Sequence, residues 1–270
     1  MKRLARSSII LIAALLLTLG YQARPRVLAG PDPLLEPGCA RPISADKAWE
    51  CRALEAQILA STVRLEWRQW TEDGAGGYSF VDGNIGFGTI KAGRYVVTHN
   101  HIGLPLTEPE AGSVIKISIV TTGGTYIWRN VPISAITIAA EEAQTSVLDF
   151  GPEADQELFS PHGLISAEFR SWEVLPLQPG LEVAQIDWDG HDVRVDWVTI
   201  ESMRTENDIP RLELANFVAK GSSGGGVFWR GYHVANNWSR VTTYEKGSTK
   251  ILRQYSIVAL NSPQVADSQP

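Results

Sequence analysis

The sequence predicts an all-β fold, built as one barrel or a pair of barrels behind a single short helix. Short runs of alternating or β-branched residues, separated by Gly, Asp and Asn, recur from residue 63 onward. Only one segment beyond the apolar N-terminus has helical spacing. The chain has 270 residues, which is enough for one large β domain or for two modest ones that share an interface.

The first 23 residues have the pattern of a secretory signal peptide. Three basic residues precede the apolar run Ile9–Leu19, and a polar stretch follows it. The run is shorter than the ~20 residues that a membrane-spanning helix needs, and an uncleaved anchor is the alternative. Cleavage is expected near Ala23 or Gly30. The protein is therefore expected outside the cell or in a periplasm.

Residues 24–61 are predicted to form an N-terminal arm followed by a helix. Apolar positions recur with helical spacing from Ala45 to Ala60, and Ser44 suits the N-cap. Cys39 and Cys51 lie within reach of each other, so a disulfide is expected in an exported protein. Closing so short a loop stabilises by ~3 kcal/mol in the chain-entropy description. Two unpaired buried thiols are the alternative.

Two β units are predicted, at residues 62–155 and 156–262, with the polar stretch 151–163 as their connection. In the second unit, Asp189-Gly190 separates two alternating runs and marks a hairpin. Residues 263–270 lack apolar content and are expected to be a disordered tail. In the first unit the strands are predicted at 63–67, 85–90, 95–98, 114–120, 126–128 and 133–138.

Charge limits the partners that this chain can have. The formal net charge is −6 and the pI is about 5.4, with basic residues scattered along the sequence. Such a balance argues against binding to nucleic acid or to anionic membrane surfaces. The oligomeric state is left open.

Two distant segments carry residues suited to acyl transfer. A glycine-rich turn, 221–226, lies between two apolar runs and presents Ser223 where the backbone can bend sharply. The amides of Gly221 and Ser223 can converge there on one oxyanion. Far upstream, the β-branched run 95–98 leads to His101. A serine hydroxyl and an imidazole are two parts of a nucleophilic hydrolase.

These segments, together with Gly86–Ile90, resemble the trypsin-like (chymotrypsin-fold) serine peptidases, in which the histidine precedes the serine along the chain. The resemblance spans roughly residues 62–262. It implies a two-barrel fold with a cleft between the barrels. It also implies a serine endopeptidase that acts on peptide or protein substrates without a metal or an organic cofactor, and the signal-like N-terminus adds the expectation that it is secreted. By this similarity His101 is the general base, Ser223 the nucleophile, and Gly221 with Ser223 the oxyanion hole.

The third catalytic residue departs from the family pattern. Asp149, in the apolar run 145–150, is the expected acid because a buried carboxylate needs a donor such as an imidazole N–H. Glu142 is the alternative.

Ser222 also departs from the family pattern, because many members carry Asp or Asn at this position. Activation by a freed N-terminus is therefore not expected. Ser222 is interpreted as a turn residue.

Substrate specificity is expected to depend on Phe217 and Asn236, which flank the turn by resemblance. No acid occupies the expected base of the pocket, so a preference for Lys or Arg is not favoured. Phe217 is expected to narrow the pocket and to favour small or apolar side chains.

Other interpretations stay open. His99 and His101 could be core residues or half of a metal site, although no further cluster supplies the missing ligands. His162, His191 and His233 are expected at the surface. The chain could also be a catalytically inactive trypsin-like fold that serves as an extracellular binding or adhesion module. An esterase on another scaffold is a third class.

Overall fold

A computed structural model describes residues 38–40, 44–72, 74–102, 114–121, 129–132, 135–142, 144–206 and 209–267. The predicted signal peptide and the strand predicted at 126–128 lie outside these ranges. Within them, no helix has the length and apolar character needed to cross a membrane.

The N-terminal helix, α1, spans Ala45–Ala60. The Ser44 hydroxyl caps it by accepting a hydrogen bond from the Lys47 amide at 3.1 Å. Cys51 on this helix is bonded to Cys39, which confirms the predicted disulfide. Ile58, near the end of the helix, is buried against the β structure.

The first sheet carries seven antiparallel strands in the order β5-β4-β1-β2-β3-β7-β6. Its central strands pack Val63, Leu65, Ile90, Val96 and Leu148 into one core. The strands are β1 (Thr62–Glu72), β2 (Tyr78–Lys91), β3 (Tyr95–His99), β4 (Val114–Thr121), β5 (Arg129–Pro132), β6 (Thr137–Glu142) and β7 (Thr145–Asp149).

The second sheet has the order β12-β9-β10-β11-β14-β13-β8 and closes into a barrel, because β12 also pairs with β13. The hairpin predicted around Asp189-Gly190 is confirmed, with Trp188 opposite Val193. The strands are β8 (Glu168–Phe169), β9 (Glu182–Trp188), β10 (Val193–Glu206), β11 (Ile209–Leu214), β12 (Gly226–Trp229), β13 (Tyr232–Tyr244) and β14 (Ile251–Leu260).

A hydrophobic cluster joins the two sheets. Ile58 from α1 and Phe87 from β2 pack with Ile186 and Trp188 from β9 and with Phe228 from β12. The Phe87 and Trp188 rings meet edge to face with centroids 5.5 Å apart. The predicted all-β class, with two β units and a short N-terminal helix, is confirmed.

The chain end differs from the expected disordered tail. Residues Pro263–Asp267 form a short helix, α2, in which Val265 and Ala266 are buried. Val265 packs against Tyr95 and Val97 of β3, and its carbonyl accepts a hydrogen bond from the Lys91 ammonium at 2.6 Å. These contacts order a segment whose local sequence is too polar to predict burial.

His233 was expected at the surface, and the structure buries it completely on β13. Its ring lies between the rings of Phe169 and Phe228, at centroid distances of 4.2 and 5.2 Å. The Asn261 side-chain nitrogen lies 3.0 Å from its Nδ1. Burial, the largest cause, lowers the pKa of His233 to about 3.

This buried histidine should make the fold sensitive to acid. A histidine whose pKa is lowered by folding contributes stability above its unfolded pKa of about 6.5 and loses it as the pH falls below that value. Between pH 7 and pH 5 the loss from His233 is ~2 kcal/mol. We expect His233→Gln to reduce the fall in unfolding free energy by this amount in urea titrations at the two pH values. The same change at the exposed His191 should leave the fall unaltered, and equal slopes for all three proteins would contradict the assignment.

Candidate functional site

The glycine-rich turn, residues 221–226, is held by backbone hydrogen bonds to both sheets. The Ser223 carbonyl accepts a bond from the Phe87 amide of β2 at 2.8 Å. The Gly224 amide donates to the Asn237 carbonyl of β13 at 2.9 Å. The turn therefore sits in the crevice between the two β units and is fixed from each side.

Gly224 lets this turn approach the end of β3 very closely. Its φ is +76°, and a Cβ added there would lie 2.3 Å from the Phe87 carbonyl oxygen and 2.8 Å from the His99 amide nitrogen. Real Cβ atoms do not tolerate such distances, so only glycine fits. The close approach places the serine turn directly against the strand end that carries the histidines.

Two amides of the turn have no acceptor among the described residues. Gly221 adopts a φ of +102°, which is open to glycine alone. Neither the Gly221 amide nor the Ser223 amide donates to an acceptor in the described part of the chain. These are the amides that the sequence assigned to an oxyanion hole.

A cavity of about 210 Å³ opens beside Ser223. Phe217 and Asn236, the predicted substrate contacts, each lie one residue outside this lining. The Phe217 ring has the Arg240 guanidinium 5.4 Å from its centroid, and Asn236 is buried near the Thr145 hydroxyl. The lining consists of residues 218–221, Ser223 and residues 237–240.

His99 and His101 form a close pair at the end of β3. Their Nδ1 atoms are 2.7 Å apart, and the His101 amide donates to the His99 Nδ1 at 3.1 Å. Burial lowers the pKa of His101. Burial and, secondly, the charge of His101 lower the pKa of His99 to about 3. Two imidazoles on one tetrahedral zinc would have nitrogens roughly 3.3 Å apart, so the pair has the spacing of a hydrogen bond.

The structure does not bring Asp149 to His101. In the β3–β7 pairing Asp149 lies opposite Tyr95, whereas Thr145 lies opposite His99. Four strand residues separate the two positions by roughly 13 Å. The Asp149 carboxylate accepts two hydrogen bonds from the Arg94 guanidinium, each of 2.7 Å. These bonds are the main reason that the pKa of Asp149 is lowered. The prediction that Asp149 orients His101 is corrected accordingly.

Glu142, the alternative acid, also has another partner. It lies on β6, and its carboxylate accepts a hydrogen bond from the Ser262 hydroxyl. No carboxylate is hydrogen-bonded to either histidine of the pair within the part of the chain that the structure describes.

Ser222 is more than a turn residue. Its side chain is completely buried, and its hydroxyl donates to Asp187 Oδ1 at 2.7 Å and accepts from the Trp188 amide at 3.1 Å. Asp187 Oδ1 also accepts from the Ala219 amide at 2.9 Å. The Asp187 carboxylate on β9 thus fixes the turn through hydrogen bonds to Ser222 and Ala219.

Sequence reasoning missed Asp187, although one signal was present. Asp187 is an acid inside the apolar run 182–188, the same feature that drew attention to Asp149. Its second oxygen accepts from Arg194 Nη2 at 2.9 Å, which balances the buried charge. An acid inside an apolar run is therefore the sequence signal that could have revealed Asp187.

Comparisons with known proteins support the fold. No family model matches the sequence, and no curated protein sequence matches it. The solved structure of Deg5 matches with a TM-score of 0.52 and 15% identity, over 73% of this chain and 87% of that chain. An HtrA-type protease, AlgW, solved with a decapeptide, matches with a TM-score of 0.49 and 13% identity over 76% of this chain.

The chain spans 62% of the length of that AlgW chain. The inactive form of the Rv3671c protease matches with a TM-score of 0.47 and 14% identity, over 86% of this chain and 92% of that chain. At 15% identity the likeness to Deg5 shows the fold alone. The fold is that of the trypsin-like serine proteases.

The buried hydroxyl of Ser222 should be important for stability. Ser222→Ala removes a donor from the Asp187 carboxylate and an acceptor from the Trp188 amide, at a cost of roughly 1–3 kcal/mol. The control is Ser223→Ala, because the Ser223 hydroxyl makes no hydrogen bond to the described residues. Urea unfolding at neutral pH should show a clear loss for Ser222→Ala and little change for Ser223→Ala. Equal stability of the two variants would contradict the role given to Ser222.

Proposed function

We propose that this protein is an exported serine endopeptidase that hydrolyses peptide bonds through an acyl-enzyme intermediate. One observation carries the proposal: the turn bearing Ser223 packs against the strand end bearing His99 and His101, so closely that Gly224 has no room for a side chain. A hydroxyl and an imidazole brought to one crevice by distant segments are what nucleophilic hydrolysis requires.

In the proposed reaction Ser223 attacks the peptide carbonyl carbon while His101 Nε2 takes the hydroxyl proton. The carbonyl π electrons move onto oxygen, which the amides of Gly221 and Ser223 stabilise. Collapse of this intermediate breaks the C–N bond, and His101 returns the proton to the leaving amine. A water molecule, deprotonated by His101, then attacks the ester carbonyl carbon through the same steps. The C–O bond to Ser223 breaks, the carboxylic acid leaves, and the serine hydroxyl regains its proton.

The hydrogen bonds of Asp187 support the proposal of a preorganised oxyanion hole. The Asp187 carboxylate binds both the Ser222 hydroxyl and the Ala219 amide, so it holds the backbone on either side of Gly221. Donors fixed before the substrate arrives stabilise a developing charge without reorganisation. In this proposal the turn needs no freed N-terminus, because residue 222 is a serine whose hydroxyl is already bound by Asp187.

The cavity beside Ser223 indicates the class of side chain that the site accepts. Val218, Asn237 and Ser239 provide apolar and neutral polar lining, while Lys220 and Arg240 place two cations at its walls. Like charges repel in a partly desolvated pocket. We therefore propose that the site discriminates against Lys and Arg before the scissile bond, where apolar, neutral polar or acidic side chains are compatible with this lining.

Export is part of the proposal. The disulfide between Cys39 and Cys51 is typical of proteins that fold in an oxidising compartment. The predicted signal peptide at residues 1–23 points the same way.

A second function is favoured by one observation. No carboxylate within the described residues is bonded to His101, and loss of the orienting acid costs such enzymes as much as ~10⁴-fold in rate. The same fold could then act as an inactive extracellular binding or adhesion module.

A fluorophosphonate probe distinguishes an enzyme from an inactive module. We expect the folded wild-type protein to be labelled with one probe per chain, and we expect Ser223→Ala and His101→Ala to abolish labelling. A chelator should change nothing, because the proposed chemistry uses no metal. The measurement is intact-protein mass spectrometry.

The matched control is Ser239→Ala, which removes a second hydroxyl from the same cavity and should still be labelled. Absence of labelling in the folded wild type would sink the enzyme proposal. If labelling is positive, cleavage of a peptide library compared with turnover of small esters separates a peptidase from an esterase.

A further inference from the structure

We infer that His99 is the positioning residue for His101, offering a neutral imidazole nitrogen where a carboxylate would orient the base. This inference deepens the proposed function and rests on it.

Two contacts converge on one atom. His99 Nδ1 lies 2.7 Å from His101 Nδ1 and 3.1 Å from the His101 amide nitrogen. A carboxylate in this position would accept the same two bonds with its oxygens. His99 Nδ1 is thus within hydrogen-bond distance of two nitrogen atoms of His101, one in the backbone and one in the ring.

The contacts determine the tautomers. Because the His101 amide donates to His99 Nδ1, that nitrogen is unprotonated and the proton of neutral His99 resides on Nε2. Two unprotonated nitrogens would repel each other at 2.7 Å, so His101 carries its proton on Nδ1. His101 Nε2 then keeps a free lone pair, which is the form that a general base needs.

Burial keeps His99 neutral. Its exposure is 8%, and its pKa is lowered to about 3 by burial and by the charge of His101. Across the sheet, β7 presents the uncharged Thr145 and Ser146, and β13 places the amide of Asn236 near Thr145. The serine turn contributes the uncharged Gly224. His101 itself is thus the one titrating group among the described residues whose charge shifts the pKa of His99.

A neutral partner has a chemical consequence. When Ser223 transfers its proton to His101 Nε2, the imidazolium keeps its Nδ1–H bond to His99 and no proton passes to His99. A carboxylate would attract this cation, whereas an imidazole offers only a hydrogen bond. The His101 imidazolium should therefore be more acidic than in a carboxylate-bearing site, and the base form should persist below pH 6.5.

Three substitutions at one position test this role. His99→Asn keeps a neutral acceptor close to the position of Nδ1, and its labelling rate constant should fall less than about tenfold. His99→Leu keeps the bulk and removes the acceptor, and the rate constant should fall by ~10²–10⁴-fold. His99→Asp introduces a negative charge beside His101 and should raise the pH midpoint of the rate by about 1–3 pH units.

The measurements are the second-order rate constant of fluorophosphonate labelling between pH 4 and pH 9, and ¹⁵N NMR of the histidine rings. A merely structural role for His99 would change the amount of folded protein and leave the pH midpoint of the remaining activity unmoved. Neutral His101 should show its proton on Nδ1 in the wild type and in His99→Asn.

The outcomes separate this inference from the proposed function. If the wild type is labelled and His99→Leu matches its rate and pH profile, His99 has no positioning role while the peptidase proposal stands. If the wild type is not labelled but NMR finds the His101 proton on Nδ1, the peptidase proposal fails and the orientation of His101 by His99 is supported. A His101 proton on Nε2 would overturn the inference in either case.

Discussion

The hydrogen bond between the Phe87 amide and the Ser223 carbonyl connects the two β units at the point where chemistry is proposed. Everything at the site depends on this contact. It draws the glycine turn onto β2, and Gly224 then fits against Thr98 and His99 with no space for a side chain. Because each β unit supplies one half of the proposed site, the interface between the units is part of that site.

Two acids within apolar strands, Asp187 and Asp149, each have specific partners. Asp187 binds Ser222 and Arg194, and Asp149 binds Arg94. The cost of burying a charge without a partner is several kcal/mol, so these pairings decide which acid is available for which role. Asp149 lies at the far end of its strand, opposite Tyr95, and is therefore too distant to orient His101.

The fold could be predicted well, and the site only in part. Ser44 at the start of α1 and Asp189-Gly190 at the hairpin are local signals, and local signals depend on backbone preferences that short segments carry. The buried state of His233 was missed because a histidine beside a turn has no periodic pattern that reports burial. Asp149 was misassigned because strand register depends on pairing across the sheet, which no segment encodes by itself.

The sequence alone determined the all-β class and the disulfide between Cys39 and Cys51, and it led to the proposal that one hydroxyl and one imidazole carry the chemistry. These depend on periodicity, on spacing and on the types of residue, all of which are written along the chain. Tertiary structure alone decided that Asp187 supports the turn and that the Nδ1 atoms of His99 and His101 lie within hydrogen-bond distance of each other. The physical reason is that hydrogen bonding depends on distances of about 3 Å between atoms, and only the packed chain sets those distances.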